Sequence, residues 1–532
     1  MDKLSYDGPI VLAILDGVGL AQDSNGNAVS KARTPFLGRA SREYLHISLN
    51  ASGEAVGLPH GQMGNSEVGH NIMGGGHIFK QGIAHINEAF ETGKVFESKA
   101  WKEAIDRVLK GSGTGATLHF GGIFSDGGVH SDVAHLEKMI ERAYADGVRR
   151  MRVHAVFDGR DVAPQSEPKY INRLEEFVKK FQDADIKIAD GGGRMVYVAD
   201  RYQNDWTVVA QGWDAMVNGE ADYYFKSASE AITILRRINP DVQDQDLPAF
   251  VIVDEKEEPV GKVEKGDSFI YYDFRADRAI EIAMAFTYWD FPYFNRGGYV
   301  PDDVYFVGMT EYNSDTHVPE HRLVEPVEVG ETLSQLLGTK DISQYAISET
   351  VKFGHVTYYF NGNSYAKARG EVFEEIESYT EPFETRPWMR SAEITDKVLE
   401  NLDKYKFVRV NYPGGDMVGH TADMGATIIA MEAIDLSLAR IAKKVDELKG
   451  ALIIVADHGN AEELIDEKGN QKTSHTTNRV PFILYDNTEN RKKYQLADMS
   501  DYGLSNLAAT IALLMGIDDY PKSWDNPILK LK

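Results

Sequence analysis

Short runs of β-branched and other apolar residues recur along the chain, and each run ends in a cluster of polar residues. Runs of four to eight apolar residues without polar alternation are typical of strands that are buried on both faces, as in parallel sheets. The runs with this pattern are residues 9–15, 117–124, 152–157, 268–274, 303–309, 407–412 and 451–456. The sequence therefore predicts a largely parallel β-sheet.

Helical stretches lie between these runs. The clearest covers residues 424–448, where apolar residues recur at the spacing of one helix face. Those residues are Met431, Ile434, Leu438, Ile441, Val445 and Leu448. Because strands alternate with such helices, the predicted fold class is α/β.

The chain has 532 residues, more than one hydrophobic core usually supports, so two domains are expected. Candidate metal ligands occur at both ends of the chain, whereas the middle is rich in candidate arginine ligands. This arrangement predicts a discontinuous metal-binding domain, residues 1–80 and 320–532, with a substrate-binding domain inserted at residues 81–319. Segments 76–86 and 312–326 are the expected hinges between them.

Composition excludes several classes of partner and chemistry. Asp and Glu number 82 against 57 Lys and Arg, a formal net charge of −25, which argues against nucleic acid or an anionic membrane surface as the main partner. No stretch approaches the ~20 apolar residues that span a bilayer, and the first residues lack a basic signal region, so a cytoplasmic location is expected. Cysteine is absent, so any metal must be bound by oxygen and imidazole.

Polar residues that could bind ligands or take part in catalysis follow the carboxyl ends of the predicted strands, where ligands bind in open α/β sheets. In chain order they are Asp16, His130, Arg160 with Asp161, Arg275 with Arg278, Asp416 with His420, and Asp457 with His458. Asp416 and His420 are four residues apart, so one helical turn would direct both side chains to the same point. With His475 in a polar loop, these acids and imidazoles suit manganese, zinc, iron or cobalt. Each pair taken alone could instead be an Asp-Gly turn or a surface histidine.

Ser66 lies in the segment Gly64-Asn65-Ser66-Glu67-Val68-Gly69-His70. A serine hydroxyl needs a base or a metal to become a nucleophile, and the flanking glycines would let backbone amides approach a phosphoryl group. The alternative is an ordinary serine in a glycine-rich turn. The candidate anion ligands, each of which could otherwise be a solvated surface charge, are Arg160, Arg194, Arg201, Arg275, Arg278 and Lys352.

Taken together, these motifs resemble a known family. Asp16-Gly17, the GNSEVGH segment and Asp457-His458-Gly459 resemble the alkaline phosphatase superfamily. With SDGGVHS at 125–131, DGRD at 158–161, FRADR at 274–278 and the segments 416–420 and 473–477, the chain is similar to the cofactor-independent phosphoglycerate mutases, in that family's order. One departure is GRMVYVADR at 193–201, which is one residue longer than the common bacterial GRYYAMDR and resembles the plant and protozoan branch.

The resemblance implies a role for each residue. One metal would be held by Asp416, His420 and His475, and the other by Asp16, Ser66, Asp457 and His458. Ser66 would carry the phosphate transiently, Asp161 would act as acid and base, and Lys352 would lie beside the phosphoserine. Substrate would be bound by His130, Arg160, Asp161, Arg194, Arg201, Arg275, Arg278 and Lys352.

The implied fold is an alkaline-phosphatase-like metal domain with an inserted α/β transferase domain that closes to exclude water. The implied reaction is the interconversion of 3-phosphoglycerate and 2-phosphoglycerate in glycolysis and gluconeogenesis, by a monomer that uses two divalent ions and no 2,3-bisphosphoglycerate. Manganese is the expected ion, with cobalt or zinc as alternatives. One rival is a phosphatase, phosphodiesterase or phosphopentomutase of the same superfamily. The other is a silent member that only binds metal or anions, which would lack a nucleophile or ligand that this sequence retains.

Overall fold

A computed structural model describes residues 3–111, 115–200, 205–313, 316–327, 329–466 and 469–532. The chain divides into two compact units, each with its own sheet. Unit 1 combines Met1–Gln81 with Glu328–Lys532, and unit 2 is Gly82–Val327.

The strands of both units are short and mostly buried. In chain order they are β1 (Ile10–Leu15), β2 (Leu45–Leu49), β3 (Leu118–Ile123), β4 (Arg150–Phe157), β5 (Asp185–Gly193), β6 (Tyr223–Phe225), β7 (Phe250–Ile252), β8 (Ser268–Tyr271), β9 (Tyr305–Gly308), β10 (Gln344–Glu349), β11 (Glu371–Ile376), β12 (Phe407–Tyr412), β13 (Ala451–Val455), β14 (Val480–Tyr485), β15 (Tyr494–Leu496) and β16 (Leu529–Leu531).

The helices cover the faces of the sheets. They are α1 (Ala28–Lys31), α2 (Pro35–Glu43), α3 (Ser66–Gly75), α4 (Gly82–Glu91), α5 (Lys94–Glu97), α6 (Lys99–Gly111), α7 (Val133–Ala145), α8 (Glu167–Val178), α9 (Trp206–Trp213), α10 (Ala228–Ile238), α11 (Ile280–Thr287), α12 (Leu333–Thr339), α13 (Thr350–Gly354), α14 (Ser391–Asn401), α15 (Gly414–Met417), α16 (Met424–Leu448) and α17 (Leu507–Leu514). Single π-helical turns occur at Asp214–Asn218 and His355–Tyr359.

Unit 1 is built on a seven-stranded sheet of order β11-β10-β12-β1-β13-β14-β2. The first five strands run parallel, and β14 is antiparallel to both of its neighbours. In the central strand β1 every residue is buried, with Ile10 opposite Phe407 of β12 and Ala451 of β13. The carboxyl ends of β12, β1 and β13 therefore lie side by side, which brings residues 400 positions apart in sequence into contact.

Unit 2 has a second seven-stranded sheet, of order β6-β7-β5-β4-β3-β8-β9. All of its pairs are parallel except β5 with β7. Helices α6, α7, α8, α10 and α11 bury apolar side chains in the core of this unit. The carboxyl ends of β3, β4 and β8 again meet at one edge of the sheet.

The predicted α/β class is confirmed, and the helix predicted at 424–448 is α16. Asp423 begins α16 by accepting a hydrogen bond from the Ala426 amide, and Lys449 ends it with a left-handed backbone at φ 58°. Each of the seven apolar runs contains a strand, although run 268–274 ends as a strand at Tyr271. Strand β10 was not predicted, because its sequence QYAISE is half polar even though all six residues are buried. No helix among the described residues is long and apolar enough to cross a bilayer.

Candidate active site

Ser66 is the first residue of α3 and is buried against groups from three other segments of unit 1. Its Oγ donates to Asp16 Oδ1 at 3.0 Å and lies 2.9 Å from His458 Nε2, while Lys352 Nζ donates to it at 2.5 Å. Asn65 caps the helix by accepting from the Val68 amide. The hydroxyl thus has two neighbouring bases, one cation and the positive end of a helix dipole.

The carboxylates come from the ends of adjacent parallel strands. Asp16 follows β1, Asp457 follows β13, and Asp416 lies on the short helix after β12. Gly17 turns the chain here at φ 71°, and a Cβ on it would lie 2.6 Å from the Asp416 backbone. Its amide can therefore donate to Asp457 Oδ1 at 3.2 Å. The close approach of these loops requires glycine at this position.

Two histidines and a carboxylate present only hydrogen-bond acceptors to one another. His420 Nε2 and His475 Nε2 are 3.1 Å apart, and Asp416 Oδ1 lies 3.2 Å and 3.1 Å from them. The other ring nitrogens face backbone carbonyls, His420 Nδ1 at Thr473 and His475 Nδ1 at Gly64. A carbonyl there selects the tautomer with a proton on Nδ1, which leaves both Nε2 lone pairs facing the carboxylate. This acceptor-only set fits a divalent cation.

A second set of potential ligands surrounds Ser66. His458 Nε2 lies 3.6 Å from Asp16 Oδ1, 4.0 Å from Asp416 Oδ1 and 3.7 Å from Asp457 Oδ2. Asp457 Oδ2 is buried and accepts no hydrogen bond of good geometry from the described residues. A buried carboxylate oxygen without a donor is costly unless a cation compensates it. This set of potential metal ligands therefore fits a second divalent cation.

Lys352 lies between the two sets. Its Nζ is 2.8 Å from Asp16 Oδ1 and 2.7 Å from Asp416 Oδ2. Burial lowers the pKa of Lys352, but the nearby carboxylates outweigh it and hold that pKa well above the usual value. Burial would raise the pKa of Asp416, yet Lys352 and His420 hold it well below its usual range. The ammonium thus stays charged and partly neutralises the carboxylates.

Four further residues of this site were missed from the sequence. His70, one turn after Ser66 on α3, places Nδ1 3.3 Å from Asp457 Oδ2, and Asn411 at the end of β12 donates to Asp16 Oδ2 at 2.7 Å. Asn460 donates to Asp416 Oδ1 at 3.1 Å. The spacing of four between Ser66 and His70 is a helical signal that was available in the sequence.

Glu462, the fourth, connects the three loops that carry candidate ligands. Its Oε2 accepts from the amides of Gly19 and Asn460 at 2.9 Å and 2.8 Å. Its Oε1 accepts from the Thr476 hydroxyl and from Asn478 Nδ2. Gly19 follows Asp16, Asn460 follows His458, and Thr476 follows His475. One buried carboxylate therefore holds the three ligand-bearing loops in position relative to one another.

Replacing Glu462 by Gln should weaken divalent-ion binding by about 10–100-fold, the usual effect of losing a group that orients metal ligands. The amide nitrogen of Gln would face donors whichever way the side chain is turned, so one loop would lose its acceptor. Isothermal titration with Mn²⁺ measures the change. Glu489→Gln is the matched control, because Glu489 is exposed and pairs with Lys492 in another part of unit 1. Equal Mn²⁺ affinities in the two variants would contradict this role.

Unit 2 contains a separate cluster built around Arg194, which follows β5 and is buried. Its Nη1 donates to Asp158 Oδ1 and Asp161 Oδ2, both at 2.6 Å, and its Nη2 lies 2.8 Å from His130 Nε2. Burial and the surrounding arginines hold the pKa of His130 well below its usual value, against the opposing effect of Asp277. Neutral His130 can therefore accept from Arg194. Its Nδ1 lies 3.4 Å from Asp277 Oδ1.

The other predicted anion ligands of unit 2 differ in their exposure and in their contacts. Arg275 Nε lies 3.2 Å from Asp277 Oδ2, and Arg278 donates to the Ala199 carbonyl at 2.5 Å. Arg160 is exposed, with its backbone amide 3.3 Å from Asp158 Oδ1. Arg201 lies outside the described residues. The structure thus brings His130, Asp161 and Arg194 into direct contact and links Arg275 to them through Asp277.

Asp273, at the edge of this cluster, is fully buried. Its Oδ1 accepts from the Ile123 amide at 2.8 Å, and its Oδ2 has no hydrogen-bond partner among the described residues. Burial raises the pKa of Asp273 to about 8. The folded protein should therefore retain a proton here at pH values where the unfolded chain has lost it.

The stability of the protein should consequently fall as pH rises from about 4 to about 8, by up to about 1.4 kcal/mol per pH unit from this group. Asp273→Asn should flatten that slope, since Asn keeps the acceptor for Ile123 but does not titrate. Urea unfolding at pH 5, 6.5 and 8 measures the slope, with the exposed Asp302→Asn of the same unit as control. An unchanged slope in Asp273→Asn would show that Asp273 is not the group responsible.

Comparisons with known proteins agree over nearly the whole chain. Residues 8–519 match the Metalloenzyme superfamily. A probable 2,3-bisphosphoglycerate-independent phosphoglycerate mutase of Leptospira interrogans is 42% identical over 530 residues, covering 96% of this chain and 95% of that protein. The enzyme of that name from Trypanosoma brucei brucei is 40% identical, covering 97% and 96%.

A solved structure extends the likeness to the fold. Leishmania mexicana phosphoglycerate mutase, crystallised at low cobalt concentration, superimposes with a TM-score of 0.85 at 37% identity, covering 100% of this chain and 99% of that one. The chain therefore belongs to the Metalloenzyme superfamily and, within it, to the family of 2,3-bisphosphoglycerate-independent phosphoglycerate mutases.

Proposed function

We propose that this chain interconverts 3-phosphoglycerate and 2-phosphoglycerate through a phosphoserine on Ser66, without 2,3-bisphosphoglycerate. The observation that carries the proposal is the setting of the Ser66 hydroxyl. It lies within 3.0 Å of Asp16 Oδ1, His458 Nε2 and Lys352 Nζ, beside ligand sets that fit divalent cations. Relatives at 40–42% identity that bear the name of this activity support it.

Two divalent ions belong to this proposal. Asp416, His420 and His475 would hold one, and Asp16, Ser66, Asp457 and His458 the other. When bound, such ions lower the barrier by activating the attacking oxygen and stabilising the leaving oxygen. Manganese is the proposed ion, because carboxylate and imidazole ligands without sulfur suit it. Cobalt is the nearest alternative, since the related Leishmania mexicana enzyme was crystallised in its presence.

The residues around Ser66 supply the covalent step of the proposal. The Asp16 carboxylate accepts a hydrogen bond from the Ser66 hydroxyl and can take its proton as the oxygen attacks phosphorus. The bond between phosphorus and the glycerate oxygen breaks in this step, and the glycerate oxygen leaves with a proton supplied by Asp161. Lys352 and the amino end of α3 stabilise the negative charge of the phosphoryl group on Ser66. The same groups then return the phosphoryl group to the other hydroxyl of the glycerate.

The arginine cluster of unit 2 supplies substrate binding in this proposal. Arg160, Arg194, Arg201, Arg275 and Arg278, together with His130, would hold the glycerate carboxylate and the phosphate. Asp161 would move a proton between the two hydroxyls of the glycerate. Arg194 Nη1 lies 2.6 Å from Asp161 Oδ2 and holds the Asp161 carboxylate in position. Unit 1 would thus be the metal-binding domain and unit 2 the substrate-binding domain. Closure at the hinges predicted from the sequence stays a prediction.

The proposal extends to the state of the protein in the cell. A monomer in the cytoplasm is proposed, with phosphoglycerate as the small-molecule partner in glycolysis and gluconeogenesis. The excess of 82 acidic over 57 basic residues supports the proposal that nucleic acid and anionic membranes are not partners. Size-exclusion chromatography with light scattering tests the monomer.

The deciding assay supplies 3-phosphoglycerate and Mn²⁺ to the purified chain without 2,3-bisphosphoglycerate. Phosphorus NMR should show 2-phosphoglycerate appearing until the two isomers reach equilibrium, with free phosphate remaining a minor product. Sustained release of phosphate without isomerisation would indicate a phosphatase instead. Glucose 1-phosphate and ribose 1-phosphate serve as control substrates, and we expect neither to be converted.

A further inference from the structure

A hydrogen-bonded chain of buried side chains crosses the sheet of unit 2 next to the arginine cluster. Asp267, just before β8, lies 3.1 Å from His119 Nε2, and His119 Nδ1 lies 2.9 Å from His154 Nε2. His154 Nδ1 lies 2.7 Å from Asp190 Oδ2, and Asp190 Oδ1 accepts from the Tyr197 hydroxyl. Every member is buried, and both ring nitrogens of each histidine are used. Buried networks in which each polar atom has a close partner restrict the movement of their members.

An irregularity in β5 directs Asp190 into this chain. The pairing register between β4 and β5 shifts after Val153, so that Val153 lies opposite Ile188 but His154 lies opposite Asp190. One extra residue, Ala189, has been accommodated in β5. Bulges of this kind turn a side chain to the other face of a sheet and occur frequently beside active sites. Here the bulge places the Asp190 carboxylate against His154.

The Tyr197 end of this hydrogen-bonded network lies in a strained turn. The amides of Val196 and Tyr197 both donate to the Gly193 carbonyl at 2.9 Å, so the backbone folds tightly after β5. Val198 then has φ 67°, a left-handed conformation that is unfavourable for a β-branched residue. Such a conformation persists only where surrounding contacts enforce it. The Tyr197 hydroxyl bond to Asp190 is one such contact, adjacent to the strained residue.

This turn connects two arginines of the cluster. Arg194 begins it directly after Gly193, and Ala199, one residue after Val198, accepts from Arg278 Nη1 at 2.5 Å. A change in the conformation of residues 197–199 would therefore move the acceptor that orients Arg278 and alter the backbone that carries Arg194. Guanidinium groups bind carboxylate and phosphate through paired bonds that depend on their orientation.

We propose that Tyr197 and Asp190 are positioning residues for phosphoglycerate binding: their hydrogen bond holds the turn 194–199 in the strained form that aligns Arg194 with Arg278. The proposal rests on the proposed function, in which those two arginines bind the substrate. Neither Tyr197 nor Asp190 contacts the substrate in this scheme. The buried histidines His119 and His154 act only by fixing Asp190 from the opposite side.

The test removes one oxygen atom by Tyr197→Phe and compares the variant with Tyr299→Phe. Tyr299 is a suitable control because its hydroxyl donates to the Phe286 carbonyl elsewhere in unit 2. We expect Tyr197→Phe to raise KM for 3-phosphoglycerate about tenfold with kcat little changed, as expected for misaligned binding groups. Calorimetric binding of 3-phosphoglycerate should weaken by the same factor. Tyr299→Phe should match the wild type in both.

A conservative variant separates positioning from simple loss of stability. In Asp190→Asn the amide oxygen can still accept from Tyr197, so KM and substrate affinity should stay near wild-type values. Equal affinities of Tyr197→Phe and Tyr299→Phe for 3-phosphoglycerate would overturn the proposal, as would a fall in kcat alone. If the wild type binds 3-phosphoglycerate but does not isomerise it, the proposed function fails, whereas the affinities of the variants still decide this inference.

Discussion

Ser66→Ala should lose mutase activity by roughly 10⁴-fold or more, the size of effect seen when a covalent nucleophile is removed from an enzyme. The variant keeps the capping of α3, because Asn65 rather than Ser66 accepts from the Val68 amide. It also keeps the carboxylates of Asp16 and Asp416 that pair with Lys352. The loss should therefore come from the missing oxygen and not from unfolding.

Two measurements define this result. Initial rates with 3-phosphoglycerate give the loss of activity, and intact-protein mass spectrometry after rapid quenching should show one phosphoryl group on the wild type and none on Ser66→Ala. Ser41→Ala is the matched control, because Ser41 Oγ donates to the Gly38 carbonyl on α2 in the same unit. Full turnover in Ser66→Ala would rule out the covalent route.

Removal of divalent ions should abolish turnover, by at least about 10³-fold, and added Mn²⁺ should restore it. The Nε2 lone pairs of His420 and His475 face each other at 3.1 Å, and Asp416 Oδ1 lies equally close to both. Burial disfavours a proton on His420, but Asp416 outweighs it and raises the pKa of that imidazole. A proton there can offset part of the charge of the apo site, but it cannot activate an oxygen as a divalent cation does. Ser66 also becomes a weaker nucleophile without an adjacent cation.

Thermal stability provides a second measurement of metal binding. A metal that binds only the folded protein adds about 2.7 kcal/mol to the free energy of unfolding at a concentration of 100 Kd. Thermal unfolding should therefore shift upward with Mn²⁺ in the wild type and less in His475→Ala, which lacks one ligand. His321→Ala in unit 2 is the control. Activity that survives chelation, or that returns with 2,3-bisphosphoglycerate instead of metal, would contradict a metal-dependent mutase.

The strands that the sequence predicted well are those in which hydrophobicity alone decides the structure. The apolar runs at β1 and β13 are short and contain β-branched residues, which favours a strand buried on both faces over a helix. β10 was missed because its polar residues are used inside the protein, where Gln344 donates to the Ser334 carbonyl and Ser348 to the Asn411 carbonyl.

The residues of the candidate sites likewise fall into two groups, those that a local pattern identifies and those that only their contacts reveal. Motifs identified Ser66, the acids and the histidines of unit 1 because each follows a strand end or lies in a recognisable segment. Glu462 and Asn411 carry no such signal, since a buried polar residue looks like a surface residue until its hydrogen-bond partners are known. The same holds for Asp190 and Tyr197, whose contact depends on a bulge in β5 that no local pattern indicates.

The sequence by itself determined the α/β class, the family and the chemical types available for catalysis, because hydrophobic periodicity and short motifs are local properties of the chain. Only the tertiary structure decided which of those groups meet. The order β12-β1-β13 in one sheet places Asp16 beside Asp416 and Asp457, although 400 residues or more separate them in the chain. Distances of about 3 Å between such groups depend on strand order and register, which are set by the packing of the whole unit.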